Sequence, residues 1–207
     1  MRSVSGRGTP LRIGVLGAAR VAPLALINPA REQAHVVVAA VAARDVSRAE
    51  AFAAKHGISR VHDNYEALIA DPEVDAVYNP LPNGLHGKWT RAALNAGKHV
   101  LCEKPFTANA AEAREIADLA AKSDRVVMEG FHYRYHPLSL RIEQIVASGE
   151  LGKLQRVEAV LCFPLPKFSD IRYNYSLAGA RRWMLGAMRS IWSARSLVPR
   201  RKLFRPG

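Results

Sequence analysis

The chain has 207 residues, 49% hydrophobic and 23% charged, enough to bury one full core and part of a second, and it lacks the composition of a disordered chain or a disulfide-built miniprotein. A formal net charge of +12 would ordinarily point to nucleic acid or an anionic membrane, but residues 179–207 hold seven Arg and one Lys with no acid, leaving 22 basic against 18 acidic residues in the first 178. The basicity belongs to the tail, so nucleic acid is disfavoured as a partner, and without a run of eighteen apolar residues no membrane span is expected.

The opening "MRSVSGRGTP" carries two Arg but no apolar segment of signal-peptide length before Pro10, which predicts a flexible tail over 1–9 and a cytoplasmic protein. From residue 11 onward, apolar runs rich in Val, Ile and Leu alternate with helical patterns. The strands are "LRIGVLG", "HVVVAAVAAR", "VDAVYNP", "KHVLCEKP" and "DRVVMEGF". The helices between them are "VAPLALINPA", "SRAEAFAAKHG", "NYEALIADP", "LHGKWTRAALNAG" and "NAAEAREIADLAAKS". Strands buried on both faces read as continuous apolar runs, and their alternation with helices predicts an α/β fold: a Rossmann doubly wound parallel sheet of six strands over residues 10–135. Helix ends carry suitable chemistry, with Asn109 before an acidic first turn and Gly57 and Gly97 as left-handed stops.

After Tyr135, "HPLSLRIEQIVASGELG" predicts a helix with Leu138, Ile142, Ile145 and Val146 at helical spacing, and "KLQRVEAVLCFPL" predicts a strand. Together they make residues 136–178 the truncated start of an α+β second domain. Cys102 and Cys162 lie 60 residues apart in apolar runs without metal spacing, and both read as buried free thiols. No pairing of histidines and carboxylates suggests a metal site.

The first strand-to-helix turn, "IGVLGAARVA", places Gly17, Ala19 and Ala22 at the three glycine positions of a dinucleotide fingerprint. Gly17 serves the tight turn, Ala19 still admits a pyrophosphate, and Ala22 lets helix pack on strand; Ala18, Arg20 and Val21 complete the loop. The alternative is an ordinary turn with no ligand. At the end of the second strand, where a carboxylate usually meets the ribose hydroxyls of NAD, stand Ala43 and Arg44. A guanidinium there suits the 2′-phosphate of NADP, with NAD a possible cofactor and a surface Arg44–Asp45 pair the competing explanation.

"YNPLPNGLHGKWTRAALNAGKHVLCEKP" contains Pro82, Asn83 and His86, then Ala96, Gly97, Lys98 and Val100, then Glu103, Lys104 and Pro105. In order and spacing it resembles the glucose-fructose oxidoreductase/inositol dehydrogenase (Gfo/Idh/MocA) family. "EGFHYRYHP" and "GELGKLQRV" are similar to its dihydrodiol and NADP-linked sugar dehydrogenase branch, and the likeness covers roughly residues 10–178. The resemblance implies hydride transfer between NADP(H) and a small polyol, sugar or dihydrodiol-like substrate, with Lys104 the catalytic residue at the nicotinamide, bonding the substrate hydroxyl and joining its proton transfer. It also implies that Glu103 and Pro105 shape the nucleotide wall and that Pro80, Leu81 and Asn83 pass beneath the dinucleotide. Full-length relatives are expected to be homo-oligomers. His86 stands equally as a cofactor contact or as a helix-start histidine bonded to backbone. Arg134 and His132 are substrate-pocket candidates at the domain junction, where His132 and His136 serve a structural role equally well.

The family's second domain opens on Gly-Gly-x-x-x-Asp-x-Gly-x-His/Tyr, and after "YNYSLAG" this chain reads "ARRWMLGAMRSIW". Trp183 and Met184 have single codons, TGG and ATG, and a one-base shift exposes GAT, an Asp codon where the motif requires Asp. Residues 179–207 are therefore expected to be an out-of-frame tail following a base lost near Gly179 or Ala180. Three functions remain open: an NADP-linked oxidoreductase, a catalytically inactive dinucleotide-binding fragment, and, least supported, a basic nucleic-acid binder.

Overall fold

The computed structural model describes residues 8–156, with 158, 170 and 173–178. The tail 179–207, most of the expected strand from Lys153, Cys162 and nearly all of the N-terminal segment 1–9 lie outside the described residues. Six strands form one sheet: β1 (Leu11–Leu16), β2 (Val36–Ala42), β3 (Arg60–His62), β4 (Ala76–Asn79), β5 (His99–Cys102) and β6 (Val127–Glu129). Their order is β3-β2-β1-β4-β5-β6 and every neighbouring pair is parallel. This is the doubly wound Rossmann arrangement, with its topological switch between β1 and β4.

Strand side chains alternate faces, and here each face has its own core. Leu16, Val77, Val100 and Cys102 join Leu68, Trp89, Leu94 and Ile116 on one side, packing beneath α3 (Tyr65–Ala70), α4 (Asn83–Asn95) and α5 (Ala110–Ala121). Val15, Val41 and Tyr78 join Leu26, Ile27, Ala49 and Ala53 on the other. That second core packs against α2 (Val46–His56) and the first helix, a π-helical stretch Pro23–Ile27 running into α1 (Asn28–Arg31). β3 is the strand not located among the expected runs. It spans only three half-buried residues at the sheet edge, too few to build an apolar run.

Capping chemistry sets the helix starts. Asp45, Asn64 and Asn109 accept backbone N–H groups of α2, α3 and α5 at 3.0, 2.7 and 2.9 Å. Glu112 reaches back to the Ala108 N–H at 3.0 Å, closing a box around the start of α5. Gly57 and Gly97 are left-handed, at φ 67° and 73°, after α2 and α4. The expected helix after Tyr135 is α6 (Pro137–Ser148), and His136 caps it by accepting the Leu138 N–H at 3.1 Å. His136 thus has a structural role as the cap of α6.

Arg12, at the amino-terminal edge of β1, grips Asp75 from its Nη2 at 2.7 Å and its Nε at 2.9 Å, and this holds the Asp75 carboxyl down at about 2. Gly14 of β1 has no side chain because the Leu68 side chain lies where one would be: a Cβ there would meet Leu68 Cδ2 at 2.6 Å. Leu68 is fully buried, so Leu68→Ala opens a cavity over β1. Denaturant unfolding should show a loss of about 2–5 kcal/mol, and a loss below about 1 kcal/mol would mean that the site collapses without cost.

Candidate active site

The predicted site residues gather at the carboxyl edge of the sheet. Gly17 closes the turn after β1 with φ 87°, its N–H donating to Ala42 O at 2.6 Å, and the Ala22 N–H donates to Ala19 O at 3.1 Å. A Cβ on Gly17 would sit 3.0 Å from Leu81 Cδ2, so the loops after β1 and β4 touch at the switch point because Gly17 has no side chain. Ala18 and Ala19 are half-buried, Arg20 and Val21 exposed, and Ala22 buried against the sheet. The following helix starts without a side-chain cap, in contrast to α2, α3 and α5. Pro23 at its first position has no N–H, and the Ala22 and Ala25 N–H groups donate to Ala19 O and Val21 O, so what this turn offers a pyrophosphate is the close approach that Gly17 allows.

Arg44 lies exposed just beyond β2. Asp45 is engaged as the α2 cap, bonding both the N–H and the hydroxyl of Ser47, and among the described residues no ion pair joins it to Arg44. Two residues not singled out in the sequence complete this corner. Tyr65, half-buried and edge-on to Trp89 at 4.9 Å, shares a hydrogen bond with the Arg44 backbone, and burial raises its phenol's pKa. Arg48, exposed in the first turn of α2, joins Arg44 in acting electrostatically on that phenol. Arginine four places beyond Arg44 on a helix start was the available signal.

The β4 and β5 loops are tied together by a buried histidine. His86, 1% exposed, has Nε2 at 2.6 Å from Leu81 O and Nδ1 at 2.7 Å from Pro105 O. A carbonyl oxygen only accepts, so a neutral ring serves one of these at a time and the imidazolium serves both. Burial pushes the imidazole below its ordinary value, and the two carbonyls with the Glu103 and Glu112 carboxylates oppose that shift. His86 therefore sits among backbone carbonyls beneath the loops. Beside it, Asn79 donates to His86 O at 3.1 Å and to the Thr90 hydroxyl at 3.3 Å.

Asn83 is buried, and its Nδ2 donates to Ala178 O at 3.1 Å, while a Cβ on Gly84 would meet the Leu177 carbonyl carbon at 3.0 Å. The segment 173–178 is thus seated on the start of α4. Pro80 is half-buried beside Leu81. Glu103 accepts the Tyr78 hydroxyl at 2.9 Å and the Lys104 N–H at 3.3 Å, and this carboxylate together with burial raises the Tyr78 pKa. Lys104 is half-buried, the Lys104–Pro105 peptide is cis, and among the described residues the lysine ammonium has no hydrogen-bond or ion-pair partner. Pro105 is buried. Glu129, at the end of β6, accepts the Phe106 N–H at 2.7 Å. Burial, with Glu103 nearby, pushes its carboxyl up to about 7.

Arg134 and His132 stand exposed on a short 3-10 turn, His132–Tyr135, after β6. Arg134 lies over the Tyr135 ring at 5.7 Å and helps offset the charge of Glu129; His132 packs edge-on to Tyr133 at 5.7 Å. Arg20 meets Asp170 at 3.9 Å. Among the described residues no cluster of His, Cys, Asp or Glu is suited to a metal ion, and no helix is long and apolar enough to cross a membrane.

The strand order and the glycine turn at the switch point define a dinucleotide-type Rossmann domain. Residues 11–131 match the GFO_IDH_MocA model, the oxidoreductase family with an NAD-binding Rossmann fold. The chain is 45% identical over 170 residues to D-xylose 1-dehydrogenase (NADP(+)) 2 of Haloferax volcanii, covering 82% of this chain and 52% of that protein. It is 38% identical over 170 residues to dTDP-3,4-didehydro-2,6-dideoxy-alpha-D-glucose 3-reductase of Saccharopolyspora spinosa, covering 82% and 51%. Among solved structures, a 3-ketoreductase from Actinomadura kijaniata in complex with NADP superimposes with a TM-score of 0.64 at 35% identity, covering 70% of this chain and 46% of that one. The chain belongs to the Gfo/Idh/MocA oxidoreductase family. It spans about half the length of the curated relatives it matches.

The raised Glu129 pKa has a defined consequence for stability. Unfolded, the carboxyl ionises near about 4.3; folded, near about 7. Between those values the folded chain binds more protons, so Glu129's contribution to stability is full at the acid end and is lost as pH rises to about 7. Glu129→Gln should flatten that slope in denaturation midpoints measured across the window, and an unchanged slope would contradict the assignment.

Proposed function

We propose that this domain holds NADP(H) across the β1/β4 switch point and that its chemistry is hydride transfer between that cofactor and a small sugar, polyol or related carbonyl compound. The observation that carries this is the joining of three loop tips. Gly17 after β1 lies against Leu81 after β4, and Leu81 is linked through His86 to Pro105, next to Lys104, after β5. Ligands of doubly wound sheets lie at such an edge. The xylose dehydrogenase and the two reductases among the relatives support the NADP and sugar assignments.

In this reading the Gly17–Val21 loop receives the pyrophosphate, and Arg44, with Arg48 beside it, takes the 2′-phosphate by charge-assisted hydrogen bonds. Pro80, Leu81 and Asn83 form the floor, and Glu103 and Pro105 the wall. His86 holds floor and wall together from below. Lys104 bonds the substrate oxygen and exchanges its proton as the bound carbon gains or loses hydride. The nicotinamide, when bound, supplies or accepts that hydride. Arg134 and His132 face the side from which substrate would come. The nucleic-acid alternative gains nothing from these contacts.

Arg44→Asp should weaken NADP binding by about tenfold or more, the scale of one lost hydrogen bond to a charged group, and leave NAD binding little changed. Titration of tryptophan fluorescence with each dinucleotide checks this, and equal weakening of both would remove Arg44 from the 2′-phosphate. Lys104→Met should retain NADP binding while abolishing any turnover of a sugar and dihydrodiol panel followed by nicotinamide absorbance. Binding without turnover in the unsubstituted chain would favour a binding fragment.

A further inference from the structure

Two residues that the reaction itself does not use converge on one peptide group. Pro105 C=O and Phe106 N–H are the two ends of the Pro105–Phe106 peptide, one residue beyond Lys104. His86 Nδ1 lies 2.7 Å from that carbonyl, and Glu129 accepts that N–H at 2.7 Å. With the ring proton on Nδ1, His86 donates to the negative end of the peptide dipole while a carboxylate meets its positive end, and the two come from opposite directions, His86 from α4 and Glu129 from the end of β6. We propose that His86 and Glu129 are positioning residues that clamp this peptide and thereby fix the backbone that presents Lys104 at the crevice.

The clamp is more than local packing. His86 Nε2 also lies 2.6 Å from Leu81 O, so one ring touches both the floor of the crevice and the lysine loop, and when neutral it donates to one of them at a time. Glu129 is half-buried at the sheet edge. Charged or titratable groups face the clamp from every side. Glu103 and Cys102 of the β5 end and Arg134 of the following turn act on or respond to Glu129, and Glu103 with Glu112 of α5 acts on His86. An ionised Glu129 makes the stronger bond to Phe106, because charge-assisted bonds are about twice as strong as neutral ones. The clamp is therefore tightest on the alkaline side of the Glu129 titration, at pH above about 7.

The importance of this clamp rests on the placement of Lys104 in the reaction, yet it is testable without cofactor. NMR of the 207-residue chain gives three readouts. His86 Nδ1 should carry a proton throughout the pH range in which the chain is folded. The Phe106 amide should titrate with a midpoint near pH 7 in the unsubstituted chain and lose that titration in Glu129→Gln. The Lys104 side-chain resonances should shift in Glu129→Leu, with Phe106 amide exchange about tenfold faster or more, while Glu129→Gln, which keeps an acceptor oxygen, holds them near their original positions.

A bare Nδ1, a Phe106 amide indifferent to pH, or Lys104 resonances that respond equally to Gln and Leu would each overturn the proposal. If Glu129→Leu fails to fold, the Gln variant and the His86 ring nitrogens still decide it. Because these spectra are taken without dinucleotide, failure of NADP to bind would count against the proposed function and leave the clamp standing.

Discussion

The tip of the Leu81 side chain lies 3.0 Å from where a Cβ of residue 17 would be, and this close approach brings together the loops on which the site is built. In a doubly wound sheet the loops after the two central strands diverge at the switch point and leave a crevice. Here Gly17 at φ 87° lets one loop fold back over β2 while Leu81 closes the floor from β4. A larger residue at 17 would strain the backbone at φ 87° and crowd the tip of the Leu81 side chain.

The polar groups beneath the crevice join the loops after β4 and β5. Asn79, His86 and Thr90 are buried, yet each has a partner in the same small network, as low-dielectric surroundings demand. Tyr78 and Glu129 add a second row, securing Glu103 and Phe106 on either side of Lys104. The lysine ammonium itself has no partner among the described residues.

Much of the fold was legible because its strongest signals are long and local. Continuous apolar runs marked five of the six strands, and Asn109, Gly57 and Gly97 marked helix ends by side-chain and left-handed geometry that needs no tertiary information. β3 escaped because three half-buried residues at an edge have no pattern to read. The site divided in the same way. Gly17, Arg44 and the Glu103–Pro105 run were visible from motif spacing, whereas Tyr65, Tyr78 and Glu129 gain their roles only when separate loops meet. His86 was visible as a residue, but only the structure shows both its ring nitrogens on carbonyls of two loops. His136 resolved as a helix cap through one bond to Leu138. The composition of residues 179–207 explains the chain's charge, and those residues lie outside the described structure.

The location of the dinucleotide is tested most directly by mapping backbone amide shifts during an NADP titration. The predicted result is a contiguous set of perturbations along Gly17–Val21, Arg44 and Arg48, Leu81–Asn83 and Glu103–Lys104, with a smaller response at Phe106. Perturbations confined to the basic segment 179–207, or scattered away from the carboxyl edge of the sheet, would contradict it.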